Sequence, residues 1–193
     1  MKIILAGGTG QVGTLLGRAL TAGGHEVVSF SRQPRPAPWR VMAWDAATLG
    51  PWVAELDGAD VVIVLAGRNV NCRYTPDNRR LIMDSRVNST RVLGRALAQA
   101  ARPPRVWLQA STATLYAHRV DAPNDEATGI IGGDEPNAPE TWRLSIAVAK
   151  AWGQAGREAA LPHTRLALMR SALTVSPDPG GIFARLLNLV RLG

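Results

Sequence analysis

Ile3-Ile4-Leu5-Ala6-Gly7-Gly8-Thr9-Gly10-Gln11-Val12-Gly13 decides the fold of this chain. A short apolar run meets a cluster of glycines and then an amphipathic run from Gln11 to Ala22. That pattern predicts a strand, a tight turn and a helix. Gly8, Gly10 and Gly13 fit the dinucleotide pattern G-x-G-x-x-G, with Gly7 in front. The spacing predicts that Gly8 and Gly10 turn the chain and bring bare backbone to a pyrophosphate, and that Gly13 lets the helix pack close to the strand. The helix N-terminus then aims free N–H groups and a partial positive charge at the phosphates. Gly7, Gly8, Thr9, Gly10, Gln11, Val12 and Gly13 are therefore the expected core of a cofactor site.

Outward from this stretch, apolar runs alternate with helical patterns. Residues 25–30 read as a second strand, followed by Ser31-Arg32 and, in a proline-rich loop, Arg35. NAD sites place Asp or Glu at that point to hold the ribose 2′-hydroxyl, whereas a guanidinium pairs with a 2′-phosphate. Ser31 and Arg32 thus favour NADP over NAD, the alternative being that Arg32 only opens an exposed loop. Residues 40–44 read as a third strand, with Asp45 in reach of an adenine amino group and Trp44 either beside the ring or in the core. Residues 48–56 suggest a short helix. Residues 59–65 form an apolar run of the kind a parallel sheet buries on both faces, and Leu65-Ala66-Gly67 lets backbone run beside a cofactor. Residues 76–100 are helical by apolar spacing, and Pro103-Pro104 stops them. A fifth strand, 105–110, releases Ser111-Thr112-Ala113-Thr114-Leu115-Tyr116 at its C-terminal end, where ligands of open α/β sheets sit. Residues 121–140 read as a mobile loop, 141–160 as a helix, 165–170 as a sixth strand and 182–190 as a final helix. The expected architecture is a doubly wound parallel sheet (Rossmann) in three α/β/α layers.

The bulk properties narrow the function classes. A length of 193 residues suits one domain, 1–193, and 46% hydrophobic residues suffice for a core. Cys72 is the only cysteine, so no disulfide forms within the chain, which fits the cytoplasm. Met1-Lys2-Ile3 enters the first strand directly, so no signal peptide is expected, and no apolar run reaches membrane-spanning length. The net charge of +7 comes almost wholly from scattered arginines, without a basic block, so neither a nucleic-acid nor a membrane partner is expected. His118 and His163 have no metal-ligand spacing.

With these residues in view, the chain resembles the extended short-chain dehydrogenase/reductase superfamily. Within it, the chain is most similar to the atypical epimerase-like branch of nucleoside-diphosphate-sugar epimerases and NAD-dependent epimerase/dehydratases. The match rests on the glycine stretch, Leu65-Ala66-Gly67, Asp84-Ser85-Arg86-Val87-Asn88-Ser89-Thr90 and Ser111–Tyr116. Arg170 with Pro179-Gly180-Gly181 adds a weaker point. The resemblance implies an NADP-dependent reductase or epimerase acting on a small hydroxylated or nucleotide-sugar substrate. It also implies a substrate lobe after the sheet, of which 181–193 would be only the start, the rest being absent. The apolar helix 182–190 would then expose surface and favour a homodimer.

The superfamily uses a Ser or Thr after strand five and a Tyr-x-x-x-Lys pair on the next helix. The four-residue spacing puts both side chains on one helical face, where the lysine cation favours the phenolate for proton transfer. The resemblance implies Thr112 as the hydroxyl residue, with Ser111 beside it. The pair itself is absent. The chain has two tyrosines, Tyr74 and Tyr116, and its lysines are Lys2 and Lys150. Position 146, four before Lys150, is Ile146; a register set by Trp152 puts Ser145 and Ala149 there instead. Tyr116 and Lys150 are the remaining catalytic candidates. Arg86 either faces the cofactor cleft or pairs with a nearby carboxylate. A second reading is a cofactor-binding interaction module with little turnover.

Overall fold

Alternation along the first strand sorts the core into two layers. In the computed structural model, which describes residues 1–178 and 181–192, β1 (Lys2–Ala6) turns Ile3 and Leu5 to one face and Ile4 and Ala6 to the other. That is the period of two that pleating imposes. Five further strands complete one sheet: β2 (Glu26–Ser31), β3 (Arg40–Ala43), β4 (Val61–Val64), β5 (Val106–Thr112) and β6 (Arg165–Ser171). Their order is β3-β2-β1-β4-β5-β6 and every pair is parallel. Helices α1 (Gln11–Ala22), α2 (Pro76–Leu97), α3 (Glu140–Arg157) and α4 (Ile182–Leu192) follow in chain order.

Leu16 and Leu20 of α1, joined by Trp39, pack on the Ile3–Leu5 face. Val92, Leu93, Ala96 and Leu97 of α2 pack on the Ile4–Ala6 face. There Phe30, Trp44 and Trp52 meet at interplanar angles of 58 to 62°, with ring centroids 5.4 to 6.0 Å apart. Trp44 is thus core. The α3 helix lies beside α2, with Gly153 and Gly156 against Leu168 and Leu166 of β6. The result is the doubly wound, three-layer fold that alternating strands and helices imply. Among the described residues no helix is long and apolar enough to cross a membrane.

Several boundaries differ from the pattern-based reading. The second strand runs on through Ser31, and β5 runs on through Thr112, because their neighbours pair that far: Ser31 with Ala43, Ser111 with Arg170 and Thr112 with Ser171. Ser111 and Thr112 therefore belong to a strand and not to the loop after it. The expected helix 48–56 is a 3₁₀ turn, Pro51–Leu56, with Gly50 extended before it. The second long helix ends at Leu97, the third spans Glu140–Arg157, and the last reaches Leu192. The 121–140 segment carries defined contacts, including an antiparallel bridge from Ile131 to Tyr116. Pro179, Gly180 and Gly193 lie outside the described residues.

Candidate functional site

The strand order reverses between β1 and β4, and at that switch the chain leaves the C-terminal end of the sheet in opposite directions. The glycines at this crevice divide the work differently from the spacing alone. Gly7, with φ +82°, takes the left-handed turn. A β-carbon there would stand 2.7 Å from Ala66 Cα and N. Gly8 is held against Leu5 and Ser29, where a β-carbon would come within 2.7 and 2.6 Å. Gly13 packs against the Gly8 backbone, 2.5 Å from where its β-carbon would sit, so it joins helix to loop and not helix to strand. Only Gly10 faces open space. It also caps α1 with no side chain, and no acid stands in the first turn. The α1 N-terminus therefore presents unneutralised N–H groups to whatever occupies the crevice.

The flank beyond β2 is fixed by hydroxyls. The Thr9 and Ser31 hydroxyl oxygens lie 2.8 Å apart, and Ser31 Oγ accepts from Gln33 N at 3.1 Å. Arg32 is exposed, with no hydrogen bond or ion pair among the described residues. A cleft of about 740 Å³ opens here, lined by Gly8, Thr9, Gly10, Arg18, Arg35 and Trp39 among others. Arg35 thus reaches the cleft wall, where Arg32 does not. Trp39 seats its indole on α1 at Gly17, where any β-carbon would be 2.4 Å from the ring. Arg18 pairs with Asp178, which follows β6. Gly181 meets Gln11, so the chain after β6 returns to the glycine loop. Arg18, Trp39 and Asp178 were not singled out from the sequence. The available signal was Gly17, since a mid-helix glycine costs about 1 kcal/mol relative to alanine and marks close packing.

Asp45 turns both oxygens to its own loop. Oδ1 accepts from Ala47 N and Thr48 N, each at 2.9 Å, and the Thr48 hydroxyl donates to Oδ2. The Thr48 hydroxyl first, then these backbone donors, hold the carboxyl below the usual carboxylate range. Its oxygens are thus engaged by its own loop.

On the other side of the crevice, Leu65, Ala66 and Gly67 leave β4, and the Ser85-Arg86 pair of α2 clamps the next residue. Ser85 Oγ accepts from Arg68 N at 2.9 Å, and Arg86 Nη1 donates to Arg68 O at 3.2 Å and to Ile82 O at 3.1 Å. Arg86 stacks 5.2 Å from the centroid of Trp152 and has no carboxylate partner among the described residues. The ion-pair alternative is therefore not what forms. Burial pulls the Arg86 pKa below its ordinary value, with Tyr74 acting the other way.

Each expected catalytic residue has its own local partners, and no hydrogen bond joins one to another among the described residues. Thr112 Oγ1 accepts from Thr114 N at 3.2 Å and lies 2.9 Å from Thr114 Oγ1. Ser111 stands beside Arg170 in the parallel register. Arg170 stacks 4.9 Å from the Tyr116 ring centroid and donates to its hydroxyl. A β-carbon on Gly129 would stand 2.5 Å from Tyr116 Cε1, so Gly129 also packs on Tyr116. Ile146 is 1% exposed, in a cluster with Leu115 and Ala149. Gly133 roofs it: a β-carbon there would lie 3.2 Å from Ile146 and 3.5 Å from Lys150 Nζ. In the register set by Lys150, the tyrosine position is thus an apolar, covered Ile146, while Lys150 itself is exposed. Backbone N–H groups of Glu135 itself and Gly133 hold the Glu135 carboxyl below the usual range, and Lys150 and Arg143 add to this. Among the described residues no group of three or more His, Cys, Asp and Glu side chains is placed to hold a metal ion. Other depressions, of about 330 and 580 Å³, lie beside β6 and between α2 and α3, away from this crevice.

Comparison with known proteins accords with this geometry. The profile of the NAD dependent epimerase/dehydratase family matches residues 3–139. Epimerase family protein SDR39U1 of Bos taurus is 32% identical over 198 residues, covering 100% of this chain and 60% of that protein. Epimerase family protein YfhF of Bacillus subtilis (strain 168) is 34% identical over 119 residues, 60% of this chain and 39% of that protein. The crystal structure of human SDR39U1 (isoform2) with NADPH superposes with a TM-score of 0.81 at 30% identity, covering 100% of this chain and 60% of that one. The nucleoside-diphosphate sugar epimerase from Corynebacterium glutamicum gives 0.76 at 29% identity, covering 100% of this chain and 38% of that one. The chain spans about 60% of the length of the SDR39U1 relatives it matches. The glycine crevice, the strand order and the matched span together make this chain a member of the NAD dependent epimerase/dehydratase family.

Proposed function

We propose that the chain binds NADP across the β1–β4 crevice and serves an epimerase or reductase reaction on a small hydroxylated or nucleotide-sugar substrate. The observation that carries this reading is the uncapped α1 N-terminus behind Gly10, the one glycine of the loop that faces open space. Residues 7–13 hold the diphosphate by main-chain N–H groups, with Ala66 and Gly67 as the opposite wall. Arg35, with the exposed Arg32 near it, receives the 2′-phosphate. Human SDR39U1 holds NADPH, which supports the choice of NADP. When bound, the nicotinamide supplies or accepts hydride. Thr112, with Ser111 beside it, orients the substrate hydroxyl at the end of β5.

Calorimetric titration with NADPH and NADH tests this. NADPH should bind about tenfold or more tightly, since hydrogen bonds to a charged group contribute roughly 1.5–3 kcal/mol. Arg32→Glu and Arg35→Glu should each weaken NADPH selectively; equal affinities for both nucleotides in the unaltered chain would refute the 2′-phosphate assignment. A second reading, a nucleotide-binding module with little turnover, is favoured by Ile146 buried under Gly133. Loss of a proton-transferring group typically costs about 10²–10⁴ in rate. Turnover assays with NADPH on sugar nucleotides and small ketones separate the two, and Thr112→Ala should abolish any turnover found.

A further inference from the structure

Arg86 is held as if to meet an anion that the protein does not itself provide. Other arginines of the molecule pair with carboxylates, among them Arg40 with Glu55, Arg91 with Glu158 and Arg102 with Asp57. Arg86 is mostly withdrawn from water, is fixed on one side by two carbonyls through Nη1 and on its face by Trp152, and meets no acid among the described residues. A largely buried cation without compensation is costly, and a bound anion offsets the cost.

The free side of the guanidinium shows where that anion would come from. Nε and Nη2 make no hydrogen bond among the described residues. They lie behind Gly67, where a β-carbon would sit 3.3 Å from Nε, 3.2 Å from Nη2 and 3.0 Å from Cζ. Because Gly67 has no side chain and is itself exposed, this edge stays uncovered. Nε and Nη2 together form the planar fork that matches two oxygens of a carboxylate or phosphate. The cofactor's diphosphate belongs to the α1 N-terminus, on the β1 side of the crevice. Arg86 stands on α2, past the β4 exit and against Trp152 of α3.

We propose that Arg86 receives a carboxylate or phosphate group of the substrate, bound beside the nucleotide. The proposal rests on the cofactor reading above and assigns the substrate an anionic group. Ser85 is a positioning residue in this arrangement: by holding Arg68 N–H it fixes the carbonyl to which Arg86 is tied.

The test is the Arg86 Nε–H signal in nitrogen-15 NMR of the whole chain, identified by its absence in Arg86→Lys. NADPH alone should leave the signal near its starting position. Uridine diphosphate glucuronate, added with and without NADPH, should move it. Arg86→Lys should bind this sugar nucleotide about tenfold more weakly, because lysine lacks the fork. Gly67→Ala, which keeps the charge but covers the edge, should weaken it as well. A shift confined to the glucuronate identifies a carboxylate, and an equal shift with uridine diphosphate glucose identifies the diphosphate; either supports the proposal. An equal shift with NADPH alone would hand the residue to the cofactor and overturn it, as would no shift with either sugar nucleotide. Failure of NADPH to bind in calorimetry would instead strike the cofactor reading, independently of the Arg86 signal.

Discussion

Strands β1 and β6 belong to one sheet, yet their surroundings differ sharply. Ile4, Leu5 and Ala6 are 0% exposed, while β6 has no buried residue and its Met169 is 46% exposed. The contrast extends to the helices that follow. The α1 helix buries Gly13 and Gly17 in contacts too close for any side chain, whereas α4 buries nothing. Nucleotide binding in this fold is built from backbone, so it needs tight and specific packing where the chain turns. Side chains on β5, α3 and β6, by contrast, can change without disturbing the turn. The same fold therefore keeps its crevice while neither register of α3 carries a tyrosine: the position four before Lys150 is the buried Ile146, and the other register puts Ser145 there.

Four substitutions break or sharpen that contrast. The largest effect is expected from Phe30→Ala, which empties a fully buried site between Trp44 and Trp52 and should cost about 3–5 kcal/mol in urea unfolding. Met169→Ala, on the open half, should stay within about 0.5 kcal/mol. Similar losses for both would erase the distinction. Next is Gly13→Ala, whose new methyl group meets the Gly8 backbone. It should cost about 1–3 kcal/mol and also abolish NADPH binding in calorimetry, because the loop must move to admit it. Retained NADPH affinity would show that the loop is not the rigid cradle described above.

The smallest effect is a pH effect at Asp121. The Arg119 side chain holds the Asp121 carboxyl down at about 2, from an ordinary 3.8. A carboxyl depressed on folding stabilises the native state above its unfolded value and loses that contribution as pH falls through the folded one. Thermal midpoints of the unaltered chain should therefore fall slightly more than those of Asp121→Asn between pH 3.8 and 2. Parallel curves would mean that this exposed pair contributes nothing, the usual result for surface ion pairs.

Much of the fold was legible because it depends on short-range rules. Apolar runs, glycine turns and helical spacing located all six strands and the four helices, with ends displaced by a few residues. Those ends moved where strand pairing extends an element, as at Ser111-Thr112, or where a local turn shortens one, as at Asp45–Thr48. The site was less legible. The sequence located the glycine loop and, by counting tyrosines and lysines, excluded the usual catalytic pair.

The sequence by itself determined the order of elements along the chain, the glycine turn after the first strand and the residue types available there, since each depends on neighbours within a turn or a strand. Only the tertiary structure decided that Gly7 takes the left-handed turn against Ala66, that Tyr116 lies under Arg170, and that Arg86 meets a tryptophan and not an acid. Those partners are 54 to 66 residues apart in the chain, 59 for Gly7–Ala66, 54 for Tyr116–Arg170 and 66 for Arg86–Trp152. Contacts at such separations are set by how whole layers pack, and no local pattern encodes them.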